Sequence, residues 1–326
     1  MRDKFTTLVR ALLLTAFLLP GNALAQQGPG DDKPLAGKQG FSLEQFRSSL
    51  FDEKAKKIQA RMSAIRLKKR GKLEQLVNRH ARNANRADHL FRLAETWREE
   101  AKYQYLLARE KYDFAYEKAQ EQGTAEPPEP EEDLSTALQY YRQIMREHPD
   151  YRRMNEVIYH LGRAALDTGK ARKDIQLQKE GVRHLDNLVQ KYPKSRYVPQ
   201  AHLALAEYFF ETDSLFYAKT NYEKIITNFK RHPMFNYALY KLGWVYFNLT
   251  EFEKTIATFK KVIASIGKEG NRARVEFRSQ ALNDLIVAWA EVDNGWQEAR
   301  RYFLKEVGET DTYQKLEKMA DLLVSK

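Results

Sequence analysis

The most constraining feature of the sequence is a helical pattern that repeats after 37 residues between Pro199 and Ile263. Small and apolar side chains at helical spacing occur in the same order in both halves: Ala201, Leu205, Ala206 and Phe209, then Ala238, Leu242, Gly243 and Tyr246. A second set follows each of these at a fixed distance: Ala218, Tyr222 and Ile225, then Thr255, Phe259 and Val262. Helical spacing within each half and a constant offset between the halves indicate stacked two-helix units.

The order of side chains within each unit resembles the tetratricopeptide repeat, whose first helix contains a Leu followed by Gly or Ala. The small residue, Ala206 or Gly243, is required where two helices cross so closely that a larger side chain would separate them. The resemblance implies an all-α fold, a right-handed superhelical α-solenoid of such hairpins with an N-terminal basic helical segment. An ordinary antiparallel bundle that happens to repeat remains the alternative.

Related patterns occur on both sides of this stretch. First helices are indicated by Leu90, Leu93, Ala94 and Trp97 and by Ile158, Leu161 and Gly162, and second helices by Ala137, Tyr141 and Ile144 and by Gly181, Leu185 and Leu188. Gly162 precedes Gly181 by 19 residues instead of 12, so we assign the extra seven residues to a longer hairpin near Thr168–Lys179. A degenerate unit follows at Ala281, Leu285 and Trp289, and Tyr313–Ser325 resembles a first helix without a partner.

These patterns divide the chain into six segments. We predict a signal peptide at 1–25, a flexible leader at 26–41, a basic helical segment at 42–85, a first tetratricopeptide-like hairpin at 86–122, an acidic Pro-rich connection at 123–133 and the solenoid at 134–326. Gly71 is expected to separate two helices within the basic segment. The prolines of the connection cannot lie inside a helix, which predicts an exposed linker there.

The first 25 residues have the organisation of a secretory signal peptide. Arg2 and Lys4 precede an apolar core of nine residues, Ala11–Leu19, and Ala23 and Ala25 form a small-x-small cleavage site. We expect cleavage after Ala25 and a periplasmic location. A retained membrane anchor is the alternative, although nine apolar residues are too few to span a bilayer. No apolar run reaches the ~18–20 residues of a transmembrane helix, so the chain is not expected to cross a membrane.

The chain contains no cysteine, and its formal net charge is +11. Without thiols we expect no disulfide, no thiol-based catalysis and no lipid-modified N-terminal cysteine of the bacterial lipoprotein kind. A large exported helical protein that is stabilised by its core alone is typical of the bacterial periplasm. The charge remains basic, at +9, without the signal peptide, which carries three cationic side chains and one acidic one.

The basic helical segment contains an apolar stripe and a run of cations. The apolar stripe consists of Phe51, Ala55, Ile58, Met62 and Ile65, and we expect it to pack on the next helices because it is too short for a coiled coil. The cations occur without an intervening acid: Lys54, Lys56, Lys57, Arg61, Arg66, Lys68, Lys69, Arg70 and Lys72.

Two interpretations of these cations remain open. They form either a solvated surface or a docking surface for anionic lipid head groups or an acidic partner. In the second case the contact residues are those that we call the basic face: Lys56, Lys57, Arg61, Lys68 and Lys69. Nucleic acid is not an expected partner, because the chain carries export features and no aromatic residues are interleaved for base stacking.

No catalytic constellation stands out in the sequence. It contains no glycine-rich phosphate loop, no nucleophile elbow and no helical His-Glu metal motif. Its seven histidines are scattered, and structural or surface roles are favoured for them over metal ligation. We therefore expect a protein that is not an enzyme and that holds no cofactor and no metal.

The resemblance implies where a partner would bind. In tetratricopeptide solenoids the first helices line a concave groove, and the corresponding positions here are Tyr159, Arg163, Leu166, Leu203, Glu207, Phe210, Tyr240, Trp244 and Phe247. The last three form an aromatic stripe on one helical face, which suits peptide or helix binding if it is exposed. The alternative is that an adjacent helix of the same chain, such as the N-terminal basic one, covers it.

The segment from Ala87 to Trp97, followed by Lys102–Leu106, is similar to exported Gram-negative repeat proteins of envelope machineries, including gliding-motility and outer-membrane-assembly complexes. The resemblance implies a non-catalytic scaffold that binds a protein or peptide partner of the cell envelope in its groove. A factor that docks on an envelope polymer or anionic lipid through the basic helix is the alternative. The repeat identifies a scaffold and not a particular machine.

Overall fold

The computed structural model describes residues 53–79, 85–268 and 272–324, and every regular element in these ranges is an α-helix. In chain order the helices are α1 (Glu53–Arg79), α2 (Arg86–Gln122), α3 (Ser135–Glu147), α4 (Met154–Ala171), α5 (Ile175–Lys191), α6 (Val198–Glu211), α7 (Leu215–Asn228), α8 (Phe235–Asn248), α9 (Phe252–Ile266), α10 (Arg272–Trp289), α11 (Gly295–Val307) and α12 (Glu309–Val324). The predicted signal peptide, 1–25, and leader, 26–41, lie outside the described residues. Among the twelve described helices, none has the length and apolarity needed to cross a bilayer.

Consecutive helices pack on one another along the chain, which is the arrangement of an α-solenoid. α4 packs on α5, α6 on α7 and α8 on α9, and the second helix of each hairpin packs on the first helix of the next. Among the described helices, extensive contacts join only those that are one or two places apart. Because a closed bundle would also join distant helices, the predicted all-α solenoid is confirmed.

The close crossing predicted at the small residues is visible in the geometry of Gly243. A Cβ atom at this position would lie 2.5 Å from Cε1 of Phe259 in α9, well inside van der Waals contact. At Gly162 in α4 the corresponding atom would lie 2.9 Å from Cγ of Leu185. Each glycine therefore lets the second helix of its hairpin approach without an intervening side chain.

The seven additional residues predicted near Thr168–Lys179 lengthen both helices of one hairpin. α4 has 18 residues and α5 has 17, whereas α6 and α7 have 14 each. In the turn between them, Lys173 has a left-handed φ of 55°, and Asp174 caps α5 by accepting hydrogen bonds from the backbone N–H groups of Gln176 and Leu177. The insertion is therefore about one helical turn on each side of a short, capped connection.

Residues 86–122 form one continuous helix, so the prediction of a hairpin within this range is wrong. The range contains no Gly or Pro, and α2 ends only at Gly123, whose φ is 63°. The first half of α2 pairs instead with α3 across the Pro-rich connection, where Tyr141 donates a hydrogen bond to Glu95. The first hairpin therefore consists of α2 and α3, and the second half of α2 extends beyond it.

The apolar stripe faces solvent where the structure describes it, which contradicts the prediction that it packs on the next helices. Ile58, Met62 and Ile65 are 53%, 46% and 58% exposed. Phe51 and the side chain of Ala55 lie outside the described part of the chain. Gly71 does not divide the segment either, because α1 continues through it to Arg79.

A buried carboxylate explains the rotation of α1. Glu100 of α2 is buried and accepts hydrogen bonds from Ser63 at 2.7 Å and Arg66 at 2.8 Å. A buried charge is stable only with such partners, so α1 must turn this polar face inward. Leu73 and Val77 then reach the core from the second half of the same helix. The apolar stripe is left on a different side.

Candidate functional site

A connected strip of charged and aromatic side chains crosses α4, α6 and α8. We call it the groove face; its members are Arg163, Asp167, Lys170, Glu207, Phe210, Glu211, Tyr237 and Lys241. Nε of Arg163 lies 2.8 Å from Asp167, and its Nη1 lies 3.7 Å from Glu207. Lys170 pairs with Glu211 at 2.7 Å. Both signs of charge therefore alternate along the strip.

Lys241 lies at the centre of this strip. Its Nζ is 4.7 Å from the ring centroid of Phe210, which is within the range of a cation–π contact. Burial lowers the pKa of Lys241, and the nearby carboxylates of Glu207 and Glu211 oppose that shift. Tyr237 donates a hydrogen bond of 3.1 Å to Glu207. α8 thus contributes a cation and a hydroxyl that lie beside the two acids of α6.

Sequence analysis placed Arg163, Glu207 and Phe210 in the binding groove, and the structure brings these three side chains together. It missed Tyr237 and Lys241, which are not among the contact positions that the repeat resemblance supplies. One signal was available, because Lys241 is the only charged residue in the whole of α8, Phe235–Asn248. A lone charge in an otherwise apolar helix needs a partner or a solvent path.

Tyr159 lies at the neighbouring end of the groove face and is stabilised by stacking. Its ring stacks on that of Tyr197 with 4.6 Å between centroids, and His160 meets both rings edge-on. Burial raises the pKa of the Tyr159 hydroxyl. The side chain therefore joins α4 to the start of α6. Leu166, another predicted contact residue, is buried in the core.

The aromatic stripe is not an exposed surface, so this part of the prediction is corrected. Tyr240 and Trp244 are only 2% and 4% exposed because α10 lies against them. The Tyr240 ring is 5.3 Å from that of Phe277, and its hydroxyl donates a 2.5 Å hydrogen bond to Asp284. Only Phe247 is partly exposed. The alternative of a covering helix is therefore the one observed, but the cover is α10 and not the N-terminal basic helix.

Asp284 is a buried acid at the α8–α10 contact. Burial raises the pKa of its carboxyl to about 6, although hydrogen bonds from Tyr240 and Gln280 and the nearby Trp244 indole favour the charged form. The folded protein therefore binds a proton at Asp284 up to a higher pH than the unfolded chain does. Stability is expected to fall as pH rises from about 4 to about 6 and to stay lower above that window.

Replacement of this acid gives a testable pH dependence. Asp284→Asn is expected to raise the free energy of unfolding at pH 7.5 by about 2–3 kcal/mol and to leave it nearly unchanged at pH 4. Urea denaturation of both proteins at the two pH values measures this difference. Asp293→Asn, which removes an exposed carboxylate, serves as the control. An equal effect of Asp284→Asn at both pH values would contradict the raised pKa.

The acidic connection folds back onto two basic side chains. Glu129 pairs with Arg109 of α2 at 2.6 Å, and Glu131 pairs with Arg172, just after α4, at 2.9 Å. Burial and the nearby Asp167 raise the pKa of Glu132, which locates that carboxyl beside the groove face. The connection therefore borders one end of the groove face.

The cations of α1 divide between an exposed group and a group that contacts α2. Lys57, Arg61, Lys68 and Lys69 are exposed, whereas the side chain of Lys56 lies outside the described part of the chain. Two other cations of the run turn toward α2: Arg66 bonds Glu100, and the guanidinium carbon of Arg70 lies 4.2 Å from the Trp97 ring centroid. Part of the run therefore holds α1 in place, and Arg61, Lys68 and Lys69 are accessible.

His202 and His160 make structural contacts. His202 Nδ1 lies 2.9 Å from the side-chain oxygen of Asn221, and His160 lies among the rings of Tyr141, Tyr159 and Tyr197. Within the described residues, no group of three or more His, Asp and Glu side chains is arranged to hold a metal ion.

Stacked hairpins with a groove face on their first helices define the class of α-solenoid repeat proteins. Residues 237–265, which cover most of α8 and α9, match the family model of the tetratricopeptide repeat. Residues 130–208, from the end of the Pro-rich connection into α6, match the YfiO family, which is described as an outer membrane lipoprotein.

Two solved structures of MamA are similar to this chain. One, described as the MamA protein, is 21% identical, covers 66% of this chain and 94% of its own, and has a TM-score of 0.41. The other is 18% identical, covers 64% of this chain and 96% of its own, and has a TM-score of 0.36. A comparison with curated proteins gave no match.

Proposed function

We propose that the protein is a non-catalytic scaffold of the cell envelope that holds a segment of a partner protein on its groove face. The observation that carries this proposal is the strip of paired charges and rings across α4, α6 and α8, which keeps part of its surface accessible. The side chains of Arg163 and Asp167 are each 41% exposed. Tetratricopeptide solenoids typically bind protein partners, and that supports the same role here.

The chemistry of the groove face indicates the kind of segment that it would hold. Its cations and acids are already paired with each other, so a partner must exchange these pairs for its own charges. Such exchange contributes more to specificity than to affinity. The ring of Phe210, next to Lys241, offers an apolar contact beside the charges. We therefore propose a segment that carries charges of both signs next to an apolar anchor.

A periplasmic location is part of the same proposal. The signal-peptide features of residues 1–25, with cleavage expected after Ala25, support export. The match of residues 130–208 to an outer membrane lipoprotein family supports a role in the cell envelope. Contact of the basic face with an anionic surface is an independent proposal, because the basic face lies on α1 and the groove face lies on α4, α6 and α8.

A charge swap tests the groove. Lys170→Glu combined with Glu211→Lys keeps an ion pair between the two positions but reverses its direction on the groove face. Stability is expected to change by less than about 1 kcal/mol, because the pair is partly exposed. Capture of partner proteins from envelope extracts is expected to fall at least tenfold, as measured by quantitative mass spectrometry of material bound to the immobilised protein.

The control is the equivalent swap of Arg272 and Glu276, an exposed pair at the start of α10. It is expected to retain the partners of the wild type. If the Lys170/Glu211 swap keeps every partner while the protein stays folded, the groove face is not the binding surface.

A further inference from the structure

The exposed side of α1 combines apolar side chains with a row of cations. Ile58, Met62 and Ile65 are about half exposed and lie on one side of the helix, one turn apart. At 3.6 residues per turn, Arg61, Lys68 and Lys72 form a second row beside them, on the side away from α2. These three cations are exposed as well. The helix therefore presents an apolar edge with a cationic flank.

Charge limits what can cover this edge. Residues 54–73 contain no acidic side chain, so a second copy of α1 would bring cation against cation. An anionic surface would instead meet a complementary charge along the whole row. Over its described residues, the apolar edge is also narrow and lacks the aromatic anchors that protein interfaces concentrate in pockets.

We propose that α1 lies on an anionic phospholipid surface, with Ile58, Met62 and Ile65 at the boundary of the acyl chains and the cationic row among the head groups. Amphipathic helices of this composition bind in the plane of the interface through apolar insertion and attraction to anionic lipid. The contacts of Glu100 with Ser63 and Arg66 hold α1 in the helical state before binding, which reduces the ordering cost. The surface lies on α1, so docking leaves the groove face on α4, α6 and α8 available.

Vesicle binding tests the proposal with the purified exported form of the chain. Sedimentation with vesicles of phosphatidylcholine containing 30% phosphatidylglycerol is compared with sedimentation with pure phosphatidylcholine. Binding to the anionic vesicles is expected to be at least tenfold stronger. The apolar variant Ile58→Asn, Met62→Gln, Ile65→Asn and the charge variant Arg61→Glu, Lys68→Glu, Lys72→Glu are each expected to lose at least tenfold of that affinity. Circular dichroism verifies that each variant remains helical.

A matched variant controls for net charge. Lys194→Glu, Lys224→Glu and Lys230→Glu remove the same total charge from exposed positions on other parts of the solenoid. This protein is expected to bind anionic vesicles within about twofold of the wild type. Equal losses in both charge variants would show that attraction is not specific to α1 and would overturn the proposal.

Insertion into the lipid can be measured with a fluorophore on a single introduced cysteine, because the chain contains no cysteine of its own. Met62→Cys carries one environment-sensitive fluorophore in the apolar stripe, and Phe216→Cys carries it at an exposed position of α7. Anionic vesicles are expected to shift the emission to the blue only at position 62. A shift at neither position, or full vesicle binding by the apolar variant, would contradict insertion.

Each alternative occupant of the apolar edge of α1 predicts a different experimental outcome, and each of these outcomes would overturn the proposal. Absence of vesicle binding with dimers that the apolar variant abolishes in sedimentation equilibrium would identify a second copy. Vesicle binding that appears only after deletion of residues 26–52 would identify that segment as the cover. Retention on immobilised acidic peptides without binding to vesicles would identify an acidic protein partner. All three readouts are independent of the groove face, so its failure as a partner site would not alter them.

Discussion

Trp244→Ala is expected to lower the free energy of unfolding by about 3–5 kcal/mol. The indole is 4% exposed, and its ring lies 5.7 Å from Phe259 and 5.4 Å from Phe247 between centroids. Truncation would leave a cavity between α8, α9 and α10 that the neighbouring helices cannot fill. Urea denaturation followed by circular dichroism measures the loss.

Trp296→Ala is the matched control for this change. Trp296 lies in α11 and is 49% exposed, so its removal should alter the unfolding transition by no more than about 0.5 kcal/mol. If Trp244→Ala instead unfolds like the wild type but captures less partner, α10 does not cover the ring. The aromatic stripe would then be a contact surface after all.

Gly243→Leu is expected to cost at least about 1–3 kcal/mol, the usual range for overpacking. Even the first side-chain atom would lie 2.5 Å from the ring of Phe259, which is fully buried and cannot turn away. The hairpin of α8 and α9 must therefore open. Thermal unfolding measured by circular dichroism should show a clearly lower midpoint.

Gly71→Leu provides the contrast, because it places the same side chain on a glycine of α1 that has no atom within 4 Å of its would-be Cβ. We expect no loss of stability and a small gain in the helicity of α1. Equal destabilisation by both substitutions would mean that the damage comes from losing glycine and not from the helix crossing.

The hairpins could be predicted from the sequence because their signal is local. The pair Leu242–Gly243 repeats the pair Leu205–Ala206 at a fixed spacing, because both units need a small residue where their two helices cross. The 86–122 range shows where this reasoning stops. Its apolar periodicity indicates helix, but periodicity does not say whether the helix is interrupted, and no Gly or Pro interrupts it.

The orientation of α1 could not be predicted because a polar contact decides it. Ile58, Met62 and Ile65 form the more regular apolar pattern, yet the partners of the buried Glu100 lie on another side of the helix. Leaving Glu100 unpaired would cost more than leaving part of three apolar side chains exposed. Sequence spacing reports which side of a helix is apolar and not which side the neighbouring helix requires.

The candidate site was predicted in part for the same reason. Arg163, Glu207 and Phe210 lie together as the repeat resemblance implies, whereas the equivalent spacing in α8 places Trp244 under α10. Trp244 lies where consecutive first helices meet, so the exposure of its side chain depends on how closely the next helix approaches. That distance is a tertiary property, and no residue of α8 encodes it alone.

Site-specific photo-cross-linking tests the central claim, that a partner lies on the groove face, most directly. A benzophenone amino acid replaces Phe210 or Asp167 on the groove face, or Phe216, which is 72% exposed on the second helix α7. The proposed scaffold predicts that positions 210 and 167 cross-link to the same envelope protein in cells and that position 216 does not. Cross-links that form at Phe216 and are absent from both groove positions would contradict it.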